Sequence, residues 1–256
     1  MIIQTFGITD TGLRRNENED SILVNDTENL FLVADGVGGN GAGNVASAIA
    51  VDVIEEHIED TDSSFDQSLE RSEDKFSVDQ AHVVLEQALI EANSRIKTVN
   101  NNSINSGQGM ATTIVGALYV LKAATLVFAH VGDSRVYRYR KGVLVPLTKD
   151  HSAHQVWLDG GSIGEAPKKN IITYALGLRD SIPVFVDRDS SQGGDTYVLC
   201  SDGLHDFVSD EEICQALTKN KAQSVKKACE NLIEVSKKHG APDNVTVIII
   251  RCEDEL

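Results

Sequence analysis

Residues 111–147, ATTIVGALYVLKAATLVFAHVGDSRVYRYRKGVLVPL, contain four strand-like runs in succession. β-Branched and aromatic residues fill the runs ATTIVGALYV, ATLVFAHVGD, RVYRYR and VLVPL, a composition that is typical of β-strands. Only short turns separate the runs, and Lys141 and Gly142 join the last two. Consecutive strands joined by short turns pair antiparallel, so this stretch predicts antiparallel sheet.

Three further apolar runs add strands to this prediction: LFLVAD at 30–35, TYVLCSD at 196–202 and VTVIIIR at 245–251. Helices are predicted before and after the strand-rich middle. Apolar residues recur at three- and four-residue spacing over 45–54 and 81–99. Strands grouped in the middle with helices around them indicate an α+β fold of stacked sheets covered by helices.

Two helices are predicted near the C-terminus. Ser209 with Glu212 forms a capping-box start, and a later apolar pattern ends at Gly240 with Pro242 beyond it. No repeat and no long linker interrupts the 256 residues, so residues 1–256 are predicted to form a single domain. Acidic and polar residues fill 59–79, which is predicted to be a surface loop between helices.

The net charge is −16, which disfavours binding to nucleic acid or to an anionic membrane. The four cysteines form no CxxC pair and no zinc-ligand pattern, which favours buried thiols in a reducing compartment. No signal-peptide pattern and no membrane-length apolar run are present in the sequence. The expectation is a soluble, cytoplasmic protein.

Four aspartates lie at the ends of predicted strands: Asp35, Asp133, Asp202 and Asp243. One such aspartate alone is usually a turn former. If the four strand ends share one rim of the sheets, however, the carboxylates converge and need cations between them. Oxygen ligands without His or Cys suit Mg²⁺ or Mn²⁺, and Gly36 lets a backbone carbonyl approach a metal closely. Two such ions can share a water and aim it at phosphorus.

The stretch TDTGLRRNENED at 9–20 complements the four aspartates. The guanidinium of Arg15 can bind two phosphate oxygens, while Glu19 and Asp20 can reach metal-bound waters. A charged surface turn is the alternative interpretation of this stretch. In combination with the four aspartates, it predicts hydrolysis of a phosphate monoester.

Eight motifs in chain order resemble the metal-dependent protein phosphatase 2C (PPM) family, in its compact bacterial form: TDTGLRRNENED, ADGVGG, GMATT, VGDSR, LTKDHS, ITYALG, CSDGL and DNVTV. The resemblance extends from Thr9 to Ile250. It implies a four-layer α-β-β-α sandwich of two antiparallel sheets flanked by helix pairs. It also implies a protein serine/threonine phosphatase that uses two Mn²⁺ or Mg²⁺ ions, with a third in some members.

The resemblance implies a set of metal ligands. Asp35, Asp202 and Asp243 match ligands of one metal, and Asp35 with the carbonyl of Gly36 matches ligands of the second. Asp133 matches the position that, with Asp202, holds a third and looser metal. The predicted metal residues are therefore Asp35, Gly36, Asp202, Asp243 and Asp133.

The resemblance also implies how substrate and water are held. Arg15 matches the phosphate-binding arginine, and Glu19 and Asp20 match acidic residues that hold metal waters. Arg15 and Asp35 are therefore the predicted catalytic residues.

Two positions depart from the family pattern. Many eukaryotic members have a histidine directly after the Asp-Gly pair, proposed to protonate the leaving alkoxide, and many bacterial members have one after the later Gly-Gly pair. This sequence has Val37 and Asn40 at those positions, and neither side chain is an acid near neutral pH. The proton must then come from a metal-bound water or from another side chain, such as His151 or His154, each of which also fits a structural role.

Residues 155–170 correspond to the family's flap over the active site and are predicted to form a shortened flap. Lys168 and Lys169 within it are candidates for contact with the substrate, although a lysine pair is normally only solvated. The predicted partners are phosphorylated proteins, targets of a serine/threonine kinase, and the chain is expected to be a monomer. Because the chain is acidic, substrates with basic flanks are expected.

Two other functions compete with this interpretation. Residues 36–41, GVGGNG, also fit the GxGxxG turn of a dinucleotide-binding site. Asp35 would place a negative charge beside the pyrophosphate, and a hairpin-rich chain does not alternate strand and helix as such folds do. The stronger competitor is a phosphatase-like binding protein without turnover, because one fold can host several functions.

Overall fold

The computed structural model describes residues 1–38, 42–62, 74–102 and 109–255. Its strands are β1 (Ile2–Asp10), β2 (Asp20–Asn25), β3 (Leu30–Val37), β4 (Ala111–Thr112), β5 (Ile114–Val120), β6 (Thr125–Val131), β7 (Arg135–Arg140), β8 (Val143–Pro146), β9 (Phe185–Ser190), β10 (Thr196–Cys200) and β11 (Val245–Glu253). Its helices are α1 (Ala42–Asp62), α2 (Val78–Asn102), α3 (Ala153–Asp159), α4 (Asp202–His205), α5 (Asp210–Lys219) and α6 (Val225–Lys238). Within these described ranges, no helix combines the length and the apolar character that a bilayer span requires.

The strands form two antiparallel sheets. One sheet has the order β1-β11-β10-β7-β8 and the other has the order β2-β3-β5-β6-β9, with the short β4 paired to β3. Every strand pair in both sheets is antiparallel. The predicted α+β class with antiparallel sheets is confirmed.

Alternating side chains of the central strands belong to different cores. In β3, Leu32 packs in the core under α1 and α2, whereas its neighbour Val33 packs in the core between the two sheets. In β11, Ile249 packs in the core under α5 and α6, whereas Ile248 faces the core between the sheets. A strand has a two-residue period, so one apolar run can fill two cores at once. The three cores confirm the predicted four-layer α-β-β-α sandwich with helix pairs outside.

Local sequence signals produce the predicted turns and helix starts. Lys141 and Gly142 have positive φ angles of 51° and 85° and join β7 to β8, as a tight hairpin turn requires. Ser209 and Glu212 form the predicted capping box at the start of α5. These local signals determine where α5 begins and how β7 connects to β8.

The predicted boundaries of the surface loop at 59–79 need correction. Residues 59–62 continue α1, and residues 78–79 open α2. A second capping pair begins α2, because the side chain of Gln80 accepts from Ser77 N at 2.9 Å while Gln80 N donates to Ser77 Oγ at 3.3 Å. Residues 63–73 of the predicted loop lie outside the described residues.

Candidate metal centre

Asp35 and Asp20 meet across two neighbouring strands. Asp35 lies near the end of β3, directly opposite Asp20 at the start of β2. Residues that face each other in an antiparallel pair have Cβ atoms about 5 Å apart. Like charges at such positions destabilise a sheet, so this pair of carboxyl groups has a use other than strand pairing.

The backbone after Asp35 is closely packed. A Cβ atom on Gly36 would lie 2.3 Å from the carbonyl oxygen of Gly43 and 2.6 Å from that of Glu19. Only glycine can occupy this position without moving both neighbours. The first turn of α1 therefore lies against the Asp35 strand end.

Asp202 and Asp243 are brought together in the other sheet. Asp202 follows β10 and opens α4, while Asp243 precedes β11, which pairs with β10. A Cβ atom on Gly203 would lie 1.8 Å from the carbonyl oxygen of Asn244, so the two segments are in direct contact. Asp133 follows β6 and is also buried.

Burial and mutual repulsion raise the pKa of four carboxyl groups at this rim. Burial first, and then the charge of Asp202, raises the pKa of Asp133 to about 7. Burial, and then the charge of Asp243, raises the pKa of Asp202 to about 7. Burial, followed by the charges of Asp20, Asp202, Asp133 and Asp243, holds the pKa of Asp35 well above its ordinary value. The pKa of Asp20 is raised to about 6, chiefly by burial. The structure thus brings the four predicted aspartates together with Asp20.

Asp20 joins the two sheets at this rim. Ser201 donates from its hydroxyl to Asp20 Oδ2 at 2.9 Å, and the Thr246 hydroxyl donates to the same oxygen at 2.6 Å. The second carboxylate oxygen of Asp20 is buried without a hydrogen-bond partner, as is Oδ1 of Asp202. A buried acceptor without a donor is costly, so these oxygens are available for a ligand.

Arg15 supplies a positive charge at the cluster. Its guanidinium donates to Asp243 Oδ2 at 2.7 Å, and the charges of Glu19 and Asp35 also act on it. Arg135 is the next residue but one after Asp133, yet its guanidinium is held by Asp150 in two hydrogen bonds of 2.7 and 2.6 Å. The half-exposed Arg15 can reach an anion outside the cluster.

Asn244 was not predicted as a site residue, although it follows Asp243 in the motif DNVTV. Its side chain accepts from Glu19 N at 2.9 Å and donates to the carbonyls of Thr11 and Glu17 at 3.0 and 2.9 Å. These contacts fix the loop that carries Arg15 against the start of β11. The position of Asn244 directly after Asp243 is the only sequence signal for this role.

The structure also places the candidates for the leaving-group acid. His151 Nδ1 accepts from Gly132 N at 3.3 Å, and its ring stacks on His130 with centroids 4.6 Å apart. His154 lies against Trp157 on α3. Val37 is exposed. Asn40 lies outside the described residues.

His205 was not predicted as a site residue, but it lies directly behind Asp133. Its Nε2 is 3.0 Å from the carbonyl oxygen of Asp133, and the imidazole is buried. His205 therefore supports the backbone that positions Asp133. Because the contact joins residues distant in sequence, no local pattern announces it.

The flap at 155–170 begins beside Asp133. The backbone N–H of His151 donates to the carbonyl of Gly132 at 2.8 Å, and Ser152 bridges to Ile172 across the base of the flap. Lys168 and Lys169 are both exposed, and Lys169 is close enough to Asp206 for their charges to interact. Lys169 therefore lies near the rim of the cluster, because Asp206 in turn acts on Asp202.

The donor set fits hard divalent cations. Carboxylate oxygens meet here, the carbonyl of Gly36 follows Asp35 directly in the chain, and such ligands favour Mg²⁺ and Mn²⁺. As the side chains are placed, no three described Asp, Glu, His or Cys residues already surround one point as metal ligands do. Asp243 faces Arg15 and the Asp20 carboxylate faces Thr246, so a cation would have to draw carboxylates inward.

A four-layer sandwich with clustered aspartates and an arginine at one rim defines the class as a metal-dependent phosphatase fold. A family model described as Protein phosphatase 2C matches residues 14–240. The serine/threonine protein phosphatase PstP of Mycobacterium tuberculosis is 34% identical over 254 residues, which cover 97% of this chain and 45% of PstP. The chain belongs to the protein phosphatase 2C family.

Further relatives agree over the whole chain. The serine/threonine phosphatase stp of Listeria monocytogenes is 32% identical over 250 residues, covering 94% of this chain and 93% of stp. The crystal structure of PstP matches with a TM-score of 0.83 and 31% identity, covering 99% of this chain and 100% of that one. The catalytic domain of PstP with two manganese ions matches with a TM-score of 0.81, covering 98% and 99%. This chain thus spans less than half of full-length PstP but nearly all of its solved domain.

Proposed function

We propose that this chain is a metal-dependent protein serine/threonine phosphatase and that residues 1–256 form one catalytic domain. The observation that carries the proposal is the cluster of five aspartates beside Arg15 in a member of the protein phosphatase 2C family. The relatives PstP and stp are named serine/threonine phosphatases. The substrates would accordingly be proteins that carry phosphoserine or phosphothreonine.

The clustered oxygens would hold two Mn²⁺ or Mg²⁺ ions. Asp35 would contact both, with Asp202 and Asp243 on one and the carbonyl of Gly36 on the other, and Asp133 would help to hold a third. When bound, such ions supply an activated water and neutralise charge on the phosphoryl group. The PstP domain solved with two manganese ions supports the number of ions.

The remaining residues would hold water and substrate. Glu19 and the free oxygen of Asp20 would accept hydrogen bonds from metal waters, while the paired hydroxyls keep Asp20 in place. Arg15 would leave Asp243 and bind two phosphate oxygens, because a cation beside Asp243 competes for that carboxylate. Lys168 and Lys169 would meet the outer side of the substrate.

We further propose a cytoplasmic monomer that reverses the action of a serine/threonine kinase. All four cysteines are free thiols, and three of them are buried, which fits a reducing compartment.

Turnover of a phosphothreonine peptide tests the proposal. The purified protein should release phosphate with Mn²⁺ or Mg²⁺ and stop when a chelator is added. Asp35→Asn should abolish release, whereas Asp79→Asn should retain it, because Asp79 is an exposed side chain on α2 paired with Arg188.

Metal-independent turnover, or turnover retained by Asp35→Asn, would contradict the proposed mechanism. Saturable binding of the phosphopeptide without any release of phosphate would instead favour a binding protein.

A further inference from the structure

The flap helix exposes apolar side chains. No residue of α3 is buried, although the helix carries Val156, Trp157 and Leu158. Val156 is 63% exposed and Leu158 is 44% exposed. A surface helix normally turns its apolar stripe toward its own protein. Trp157 is partly covered by His154, whereas Val156 and Leu158 leave much of their apolar surface open to solvent.

Hydrogen bonds within the flap hold it in shape. Gly160 N donates to the carbonyl of Val156 at 3.0 Å, and Ser162 N donates to that of Trp157 at 3.0 Å. The indole N–H of Trp157 donates to the carbonyl of Ile163 at 3.0 Å. These bonds present Ile163 to solvent with 84% of its surface exposed. A preorganised surface loses little conformational entropy when it binds a partner.

Both ends of the flap lie near the aspartate cluster, and its first end is bonded there. At one end His151 N bonds to Gly132, the residue before Asp133. At the other end the charge of Lys169 acts on Asp206, the residue that caps α4. The exposed flap side chains therefore belong to the surface that surrounds the site.

Other exposed apolar side chains lie on segments that carry site residues. Leu13 precedes Arg15 by two positions and is 58% exposed, and Val37 follows Asp35 by two positions. Phe207 is exposed just beyond α4. We call the following six side chains the apolar rim: Leu13, Val37, Val156, Leu158, Ile163 and Phe207.

We propose that the apolar rim binds apolar residues that flank the phosphorylated residue of a protein substrate. The inference rests on the proposed function, and it replaces basic flanks with apolar flanks as the expected preference. When the phosphorylated residue of a substrate enters the cluster, its neighbours in the substrate chain would contact the apolar rim. Burying exposed aliphatic groups removes apolar area from water, which is favourable.

Matched phosphothreonine peptides test this preference. Three peptides would carry apolar, glycine-serine or basic residues at the three positions on each side of the phosphothreonine. The wild-type protein with Mn²⁺ should show a kcat/KM about tenfold higher for the apolar peptide than for the glycine-serine peptide. Trp157, the only tryptophan of the chain, provides a fluorescence signal for binding at the flap.

Paired variants locate the effect. Val156→Ser with Ile163→Ser should reduce the preference for the apolar peptide to about one. Val83→Ser with Ile90→Ser is the matched control, since both residues are about half exposed on α2. That control should retain the full preference. If the flap double variant unfolds at a lower temperature than wild type, the single Ile163→Ser variant replaces it, because that side chain is almost fully exposed.

Four outcomes decide between the possibilities. A preference that is lost only in the flap variants supports the proposal. Equal rates on the apolar and glycine-serine peptides, or a basic preference, overturn it. Self-association that Ile163→Ser abolishes, together with indifference to flanks, also overturns it and assigns the rim to a second copy. No metal-dependent hydrolysis of even para-nitrophenyl phosphate would overturn the proposed function as well.

Discussion

The two ends of the sheets both carry buried or partly buried aspartates, but the partners of these carboxylates differ. At the end that carries Asp195, Arg140 binds this carboxylate through two hydrogen bonds of 2.7 and 2.6 Å. Asp189 at the same end accepts from Arg138 at 2.6 Å and from the Tyr197 hydroxyl at 2.7 Å. Each of these carboxylates thus has a guanidinium partner.

At the opposite end, five clustered aspartates face Arg15. That guanidinium is bonded to Asp243, and the oxygens of Asp20 and Asp202 that lack a partner are buried. Burial of unpaired carboxylates destabilises a fold, so such a cluster is retained for binding or catalysis. The comparison separates aspartates that hold the sandwich together from aspartates that are proposed to bind cations.

The largest expected effect concerns the end of the sheets that carries Asp195, where each carboxylate has a guanidinium partner. Asp195→Asn should lower the free energy of unfolding by about 3 kcal/mol, because it removes the charge of a fully buried carboxylate and leaves Arg140 with only the more distant Asp189, 3.9 Å away. Urea unfolding measures this loss. The exposed Asp79→Asn is the control and should change stability little. A loss below about 1 kcal/mol would remove the distinction between the two ends.

Arg15, at the end with the aspartate cluster, should support activity rather than stability. Arg15→Ala should lower kcat/KM for a phosphothreonine peptide about a hundredfold, since charge-assisted hydrogen bonds to phosphate are lost. Its unfolding midpoint should stay close to that of wild type. The neighbouring Arg14→Ala serves as the control and should keep most activity. An Arg15 variant with normal kinetics would contradict the assignment.

Removing a charge from the cluster of five aspartates should stabilise the metal-free protein. At pH 8, Asp202→Asn should raise the free energy of unfolding by about 2 kcal/mol. The folded pKa of Asp202 is raised from 3.8 to about 7, so the charge of this carboxylate lowers the stability of the folded state increasingly above about pH 4 and in full above pH 7. The cost declines as the pH falls and the carboxyl group takes up a proton.

Urea unfolding of both proteins at pH 8 and pH 5 in chelator checks this sign. The gain from Asp202→Asn should shrink by more than half at pH 5. A gain that is equal at the two pH values, or a loss at pH 8, would show that the folded state does not disfavour the charged form of Asp202.

The smallest effect concerns the hydroxyls that hold Asp20. Thr246→Val keeps the shape of a fully buried side chain but removes the donor to Asp20. Residues that orient metal-site groups typically change metal affinity by 10- to 100-fold, so Mn²⁺ should bind about tenfold more weakly. Thr98→Val on α2 is the control. Unchanged Mn²⁺ affinity in Thr246→Val would show that this contact serves packing alone.

Sequence patterns predicted the inner strands of both sheets but missed β1, β2 and β9. All three are edge strands. An edge strand is partly solvated, so polar residues interrupt its apolar pattern, as in FVDRDS of β9. Most inner strands are covered on both faces and show continuous apolar runs such as VTVIII, whereas the inner strand β7 alternates arginine with buried residues and was predicted from its β-branched and aromatic residues.

The same contrast holds at the site. Asp35, Asp133, Asp202 and Asp243 were found because each lies at the end of an apolar run. The contacts of Asp20 with Ser201 and Thr246 span 181 and 226 residues, so no local pattern reveals them. Strand ends can be located from local sequence, whereas contacts between sheets depend on the folded topology.

Calorimetric titration of Mn²⁺ into the metal-free protein tests most directly whether the five clustered aspartates form a cation site. Wild type should bind at least two ions per chain, and Asp79→Asn should do the same. Asp35→Asn should fail to bind the two ions that Asp35 is proposed to contact. Equal Mn²⁺ stoichiometry and affinity in wild type and Asp35→Asn, or no saturable binding by wild type, would contradict it.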